Sequence, residues 1–177
     1  MNANASRALA GLLAAPLVLM AAGCGGSTGP SELDPRQAMC RSCRMPVSDP
    51  RLAAQLAAPG EETLFFDDIG CLRDYLATSA GLTTSAGLAT SAGLATSGAK
   101  LPAGSRAWVA DHRTRAWVSA PSALYERCPG VETPMASHLI AHADRASRDA
   151  DRASAGCVEI SPSAIFGSRL PSAGGGR

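Results

Sequence analysis

Three consecutive copies of a six-residue unit, TSAGLT, TSAGLA and TSAGLA, run from Thr78 to Ala95, and a fourth decays at Thr96-Ser97-Gly98. Each unit has one Leu, one Gly and no charge. Three units could form one coil of a left-handed β-helix, but such stacks need about three coils to be stable. The stretch therefore reads as an expanded, flexible and functionally neutral loop. It divides the chain, so whatever folds must be assembled from two short stretches, residues 38–77 and 101–160. The expected class is α+β, with the repeat loop at 78–100 between two small units.

The first two dozen residues address the chain out of the cytoplasm. Arg7 supplies a positive start, and Leu9 to Ala22 is an apolar run interrupted only by Gly11 and Pro16. That run is too short to span a bilayer comfortably. It ends in Ala21-Ala22-Gly23-Cys24, small residues before a cysteine, as in a bacterial lipobox. Residues 1–23 are thus expected to be a lipoprotein signal peptide, with Cys24 as the lipidated residue. Residues 24–37, opening Gly-Gly-Ser-Thr-Gly-Pro, would be a flexible tether. Gly25 after the cysteine points to the outer membrane, facing the periplasm, and more than one acyl chain would hold firmly there.

Charge and cysteine count narrow the chemistry. The chain carries 16 basic and 15 acidic residues. That balance gives no electrostatic footprint for nucleic acid. Six cysteines are present. Lipidation of Cys24 would leave Cys40, Cys43, Cys71, Cys128 and Cys157, an odd set with at least one unpaired thiol. In an oxidising compartment such a thiol needs burial or a ligand.

Strand–strand–helix order is legible before the repeat. Leu52–Ala57 and Glu62–Phe66 flank a turn at Ala58–Glu61, and Asp67 or Asp68 caps a helix through Ile69, Cys71, Leu72, Tyr75 and Leu76. After it, Ala107–Ala110 and Ala116–Ala120 bracket the polar turn Asp111–Thr114, which would leave His112 in solvent. A short helix is expected from Pro121 to Glu126, a strand at Leu139–Ala141 and a helix over Asp144–Ala155. That second helix contains Ala-Asp-Arg-Ala-Ser twice, seven residues apart. Gly156 would end it, Cys157–Ile160 would be a closing strand, and residues 161–177 a disordered tail.

The chemistry concentrates at Met39-Cys-Arg-Ser-Cys-Arg-Met45. Cys40, Cys43 and Met45 place three sulfur donors within six residues, and soft sulfur favours a polarizable ion such as Cu(I). Met135, after Thr133-Pro134, is a further candidate. His138 and His142 are weaker ones, because a lone histidine is more often structural. A zinc site would want a second ligand pair at matching spacing, and Cys71, Cys128 and Cys157 stand singly. A redox pair would want a helix starting at the cysteines, which Pro46 opposes. A Cys40–Cys43 disulfide, or pairing with Cys71 or Cys128, remains the structural alternative.

These segments together resemble a known family. Cys40-Arg-Ser-Cys43-Arg-Met45-Pro-Val-Ser-Asp49, Ala53-Ala54-Gln55 and Phe65-Phe66-Asp67-Asp68-Ile69-Gly70-Cys71-Leu72 are similar to NosL, the accessory lipoprotein of nitrous oxide reductase. Trp108–Asp111, Ala116–Ala120 and Thr133–Ser137 resemble that family's second half. Arg44 and Ala136 stand where the family often has Gly. The resemblance implies two small ββα-type subdomains like the organomercurial lyase core. It implies copper(I) bound by Cys40, Cys43, Met45 and Met135. It also implies a non-enzymatic role, delivering copper with nitrous oxide reductase and its copper-assembly transporter machinery as partners. Two other classes stay open: a membrane-anchored thiol–disulfide protein using Cys40 and Cys43, and a lyase-like enzyme using cysteines with Asp67 or Asp68.

Overall fold

A computed structural model describes residues 29–80 and 101–171, side chains of residues 79 and 80 excepted. The expected signal peptide and Cys24, the repeat from residue 81 onward and the last six residues lie outside the described residues. The fold is α+β, built on two small antiparallel sheets.

The first sheet has strands β1 (Ala54–Ala57), β2 (Leu64–Phe66), β3 (Arg106–Ala110) and β4 (Trp117–Ser119), in the order β2-β1-β3-β4. All four residues of β1 are buried, so this central strand is covered on both faces. Ala54 pairs with Phe66 on one side and Val109 on the other. The hairpin that follows the repeat thus extends the sheet begun before it. Helix α1 (Ile69–Ala80) follows β2 directly. Asp68 is its cap, Oδ1 accepting the Gly70 N–H at 2.5 Å.

The second sheet contains β5 (Leu124–Arg127), β6 (Leu139–His142) and β7 (Val158–Ile160), in the order β6-β5-β7. The helix expected at Pro121–Glu126 is instead a 3-10 turn over Ala120–Ser122 running into β5. Pro121 suits the second position of such a turn, where no N–H is needed, and Tyr125 and Glu126 then take buried positions in the central strand. The helix expected over Asp144–Ala155 is also divided. Helix α2 covers Arg145–Asp149 and a separate 3-10 turn covers Arg152–Ser154. The repeated Ala-Asp-Arg-Ala-Ser explains the break. Asp144 accepts the Ser147 N–H and Asp151 the Ala153 N–H, so each copy caps its own turn. Helix α3 (Pro162–Phe166) lies in the stretch expected to be a disordered tail.

One main core joins the two sheets. Phe66, Leu72, Val109, Tyr125, Leu139 and Phe166 are all at most 1% exposed and belong to it. Each such side chain contributes about 1.5–3 kcal/mol by leaving water. A smaller cluster of Leu52, Cys128 and Ile140 sits apart, with Cys157 against it. Cys128 and Cys157 form a disulfide there. The sheets also meet through the β3–β4 turn. The His112 N–H donates to Ala141 O, and Asp111 Oδ2 accepts the Ala143 N–H, both at 2.8 Å. His112 is therefore not in solvent: it is 5% exposed, and its Nδ1 donates to Asp151 Oδ2 at 2.6 Å.

Candidate metal centre

Residues 38–47 form a tight loop on the edge of the first sheet. The Cys40 N–H donates to Met45 O at 2.8 Å, and the Val47 N–H to Ala38 O at 2.9 Å. Between these rungs the Arg44 N–H reaches back to Cys40 O, with Arg44 in the left-handed region at φ 65°. The Arg41 N–H donates to Phe65 O, which fastens the loop to β2. Pro46 is thus compatible with the site, because it ends a hairpin rather than opening a helix. The loop borders a cleft of about 500 Å³ lined in part by Met39, Cys40, Arg41, Arg44 and Phe65.

Attachment to β2 carries the loop to the start of α1, three residues beyond Phe66. Cys71 sits in the first turn of that helix, its N–H donating to Asp68 O at 2.9 Å. The sulfurs of Cys40, Cys43 and Cys71 all lie within 4.8 Å of one another. Cys40 and Cys71 are buried, and Cys43 is partly exposed. All three are free thiols. Three converging thiols on rigid backbone can hold a metal ion, whose binding would displace their protons. Sequence spacing did not assign Cys71 to this site. It is 28 residues from Cys43 and seemed single, whereas one side chain per segment suffices when β2 docks the two segments together.

The thiols are electrostatically unequal. The Cys71 thiol donates to the Cys40 sulfur and lowers its pKa most. Burial opposes this, and the N–H groups of Asp67 and Cys43 add to the lowering, leaving Cys40 at about 5 against an ordinary 9.0. The Cys43 N–H lies 3.5 Å from the Cys40 sulfur. Cys71, as the donor, is pushed far upward. Cys43 is also raised, chiefly by burial. Nearby Asp67 is raised by burial as well, against hydrogen bonds from Ser48 that pull it down. The positive end of α1 favours a thiolate at the same place. Of the three, Cys40 is the thiol that loses its proton most readily.

Neither family models, nor curated proteins, nor solved structures match this chain.

The remaining sequence candidates divide. Met45 and Met135 are 53% and 49% exposed, and Met39 is 54% exposed. Met45 lies on the thiol loop itself. Met135 reaches the start of α1 through its N–H, which donates to Asp68 Oδ2 at 3.1 Å. The two histidines are engaged elsewhere. His138 Nδ1 donates to Val131 O at 2.8 Å. His142 is fully buried, with Nε2 3.2 Å from Ser154 Oγ and 3.3 Å from Glu126 Oε2. Among the described residues, Cys40, Cys43 and Cys71 are the one group of three or more cysteine, histidine or carboxylate ligands gathered closely enough to share an ion. No described helix is long and apolar enough to cross a membrane.

Proposed function

We propose that this protein is a lipid-anchored periplasmic carrier that binds copper(I) and delivers it for maturation of nitrous oxide reductase. The convergence of three reduced sulfurs on one point carries the metal part of this reading. A structural zinc site closes with four ligands. Here three thiols are joined by no fourth cysteine, histidine or carboxylate among the described residues. The soft groups close by in the chain are thioethers, and an all-sulfur set favours Cu(I). Met45 and Met135 as ligands, and the delivery target, rest on the motifs shared with NosL. The anchor at Cys24 rests on the lipobox-like end of the apolar run, Ala21-Ala22-Gly23-Cys24. Exposed, exchangeable thioethers suit a carrier, which must pass the ion on rather than turn over a substrate.

Anaerobic Cu(I) titration of the reduced full-length protein in detergent tests the reading. One ion per chain is expected, with sulfur-to-copper charge-transfer absorption. Met45→Leu keeps the volume and removes the thioether. It should lower affinity and change the sulfur count seen by X-ray absorption; wild-type behaviour would exclude Met45 as a ligand. Cys24→Ser should release the protein from membranes, and continued retention would count against the anchor.

A second reading is favoured by one observation. The depressed Cys40 thiolate beside the partly exposed Cys43 is what a thiol–disulfide protein needs. That reading requires Met45→Leu to be silent and the reduced protein to exchange with a dithiol partner.

A further inference from the structure

We propose that the adjacent carboxylates Asp67 and Asp68 are positioning residues, each fixing one exposed methionine loop around the helix end that carries Cys71. This inference rests on the copper reading and extends it to residues that touch no metal.

Asp68 makes more bonds than a helix cap needs. Its Oδ1 accepts the Gly70 N–H, which alone would cap α1. The same oxygen also accepts the Ser137 hydroxyl at 2.5 Å, and Oδ2 accepts the Met135 N–H at 3.1 Å. Both additional bonds go to a loop 67 and 69 residues away. The loop lies so close to the helix that a Cβ on Gly70 would stand 2.7 Å from Ser137 Cβ. Asp67 serves the other loop. Its Oδ1 accepts the Ser48 N–H at 2.8 Å and the Ser48 hydroxyl at 3.2 Å, three residues after Met45. Both aspartates are 1% exposed.

A purely structural role fits poorly with what the second loop displays. Ala136 and His138 are both left-handed, at φ 52° and 55°. Each such residue is strained, and the conformation persists only where its surroundings over-determine it. Burying a carboxylate also costs free energy unless it is hydrogen-bonded. These costs do not serve to bury Met135, whose side chain stays half in solvent. They hold its backbone at a fixed place beside the first turn of α1, which also carries Cys71. A metal site has use for that, since groups behind the ligands set ligand geometry.

The test is a set of double-mutant cycles on the full-length protein in detergent, read by Cu(I) competition against a high-affinity chelator. Asp68→Asn should weaken binding about tenfold, as loss of a supporting residue typically does. Adding Met135→Leu should then weaken it no further. Asp67→Asn should couple to Met45→Leu in the same way. The crossed pairs, Asp68→Asn with Met45→Leu and Asp67→Asn with Met135→Leu, should multiply independently. X-ray absorption should show Asp68→Asn losing one sulfur neighbour while the thiolates stay. Ser137→Ala is the milder variant should Asp68→Asn fail to fold. It removes one bond, keeps the carboxylate and should give a smaller loss that again vanishes without Met135. Multiplying effects within either matched pair would overturn the clamp while leaving copper binding intact. A wild-type protein that binds no Cu(I) would overturn the copper reading, and the clamp with it.

Discussion

The chain uses cysteine in two opposite ways within one small fold. Cys128 and Cys157 meet beside Leu52 and Ile140 and are joined covalently. Cys40, Cys43 and Cys71 bring their sulfurs within 4.8 Å of one another, yet stand as free thiols at the start of a helix. The difference lies in the neighbours. Both groups touch apolar side chains, but among the described residues only the trio has an N–H group, that of Cys43, aimed at one of its sulfurs, which favours a thiolate there. The disulfide fastens the smaller of the two sheets, which has little core of its own. The thiol trio sits where the larger sheet and α1 already supply rigidity.

Breaking the covalent pair should have the largest effect, and on stability alone. The bridge closes a 29-residue separation. Loop-closure entropy for that length is worth about 3–4 kcal/mol. Cys128→Ala with Cys157→Ala should lose that much in a urea melt while Cu(I) stoichiometry stays at one. A matching fall in copper affinity would show that the two regions are not separable.

Removing one thiol of the trio should do the converse. Structural zinc sites bind with about 10–16 kcal/mol over four ligands, and by that scale one ligand is worth about 3 kcal/mol, or a hundredfold. Cys71→Ser is the sharpest of the three variants, because no spacing motif contains it. If Cys71→Ser binds Cu(I) as tightly as wild type while Cys40→Ser does not, the third thiol is a bystander.

Acid should loosen the contact between the sheets before it reaches the disulfide. Burial pulls the Asp111 pKa up, but the Ala143 N–H, the Ser147 hydroxyl and Thr114 outweigh it and hold it at about 2, against an ordinary 3.8. A depressed carboxyl stabilises fully above its unfolded value and stops doing so as pH falls through the folded one. About 2 kcal/mol should therefore disappear between pH 4 and pH 2. Asp111→Asn should flatten that part of the stability profile; an unchanged slope would assign it to other groups.

The smallest effect should be a gain. Ala136 occupies the left-handed region at φ 52°, where Gly pays no Cβ penalty. Ala136→Gly should raise stability by about 0.5–1 kcal/mol, net of the entropy Gly adds to the unfolded chain. The same substitution at Arg44, φ 65°, gives a second reading on the thiol side. Thermal melts decide both, and destabilisation at Ala136 would mean that the loop is not strained there.

Local order was legible wherever a short segment decides its own conformation. The β1–β2 hairpin, the Asp68 cap and the β3–β4 hairpin follow from alternation, a turn and a capping residue. The segment Pro121–Glu126 was misread because its residues suit a helix start, while the vacancy beside β6 and β7 draws Leu124–Arg127 into a strand. Asp144–Ala155 was misread because periodicity does not register that Asp151 leaves the helix to accept the Ala153 N–H and bond His112. His112 was misplaced for the same reason, since a hairpin turn reads as exposed until another sheet lies against it.

By itself the sequence determined the sulfur-rich loop, the strand–strand–helix order before the repeat, and the odd number of cysteines, five, from Cys40 onward. These depend on residue type and near spacing, which a chain carries with it. Only the tertiary structure decided which cysteines meet. Cys71 joins Cys40 and Cys43 because Arg41 bonds to the strand that leads into α1, and Cys128 finds Cys157 because β5 pairs with β7. It also brought Met135 to the start of α1 through Asp68. Such contacts are made by hydrogen-bonded backbone far apart in the chain, and no local pattern encodes a distance closed by a third segment.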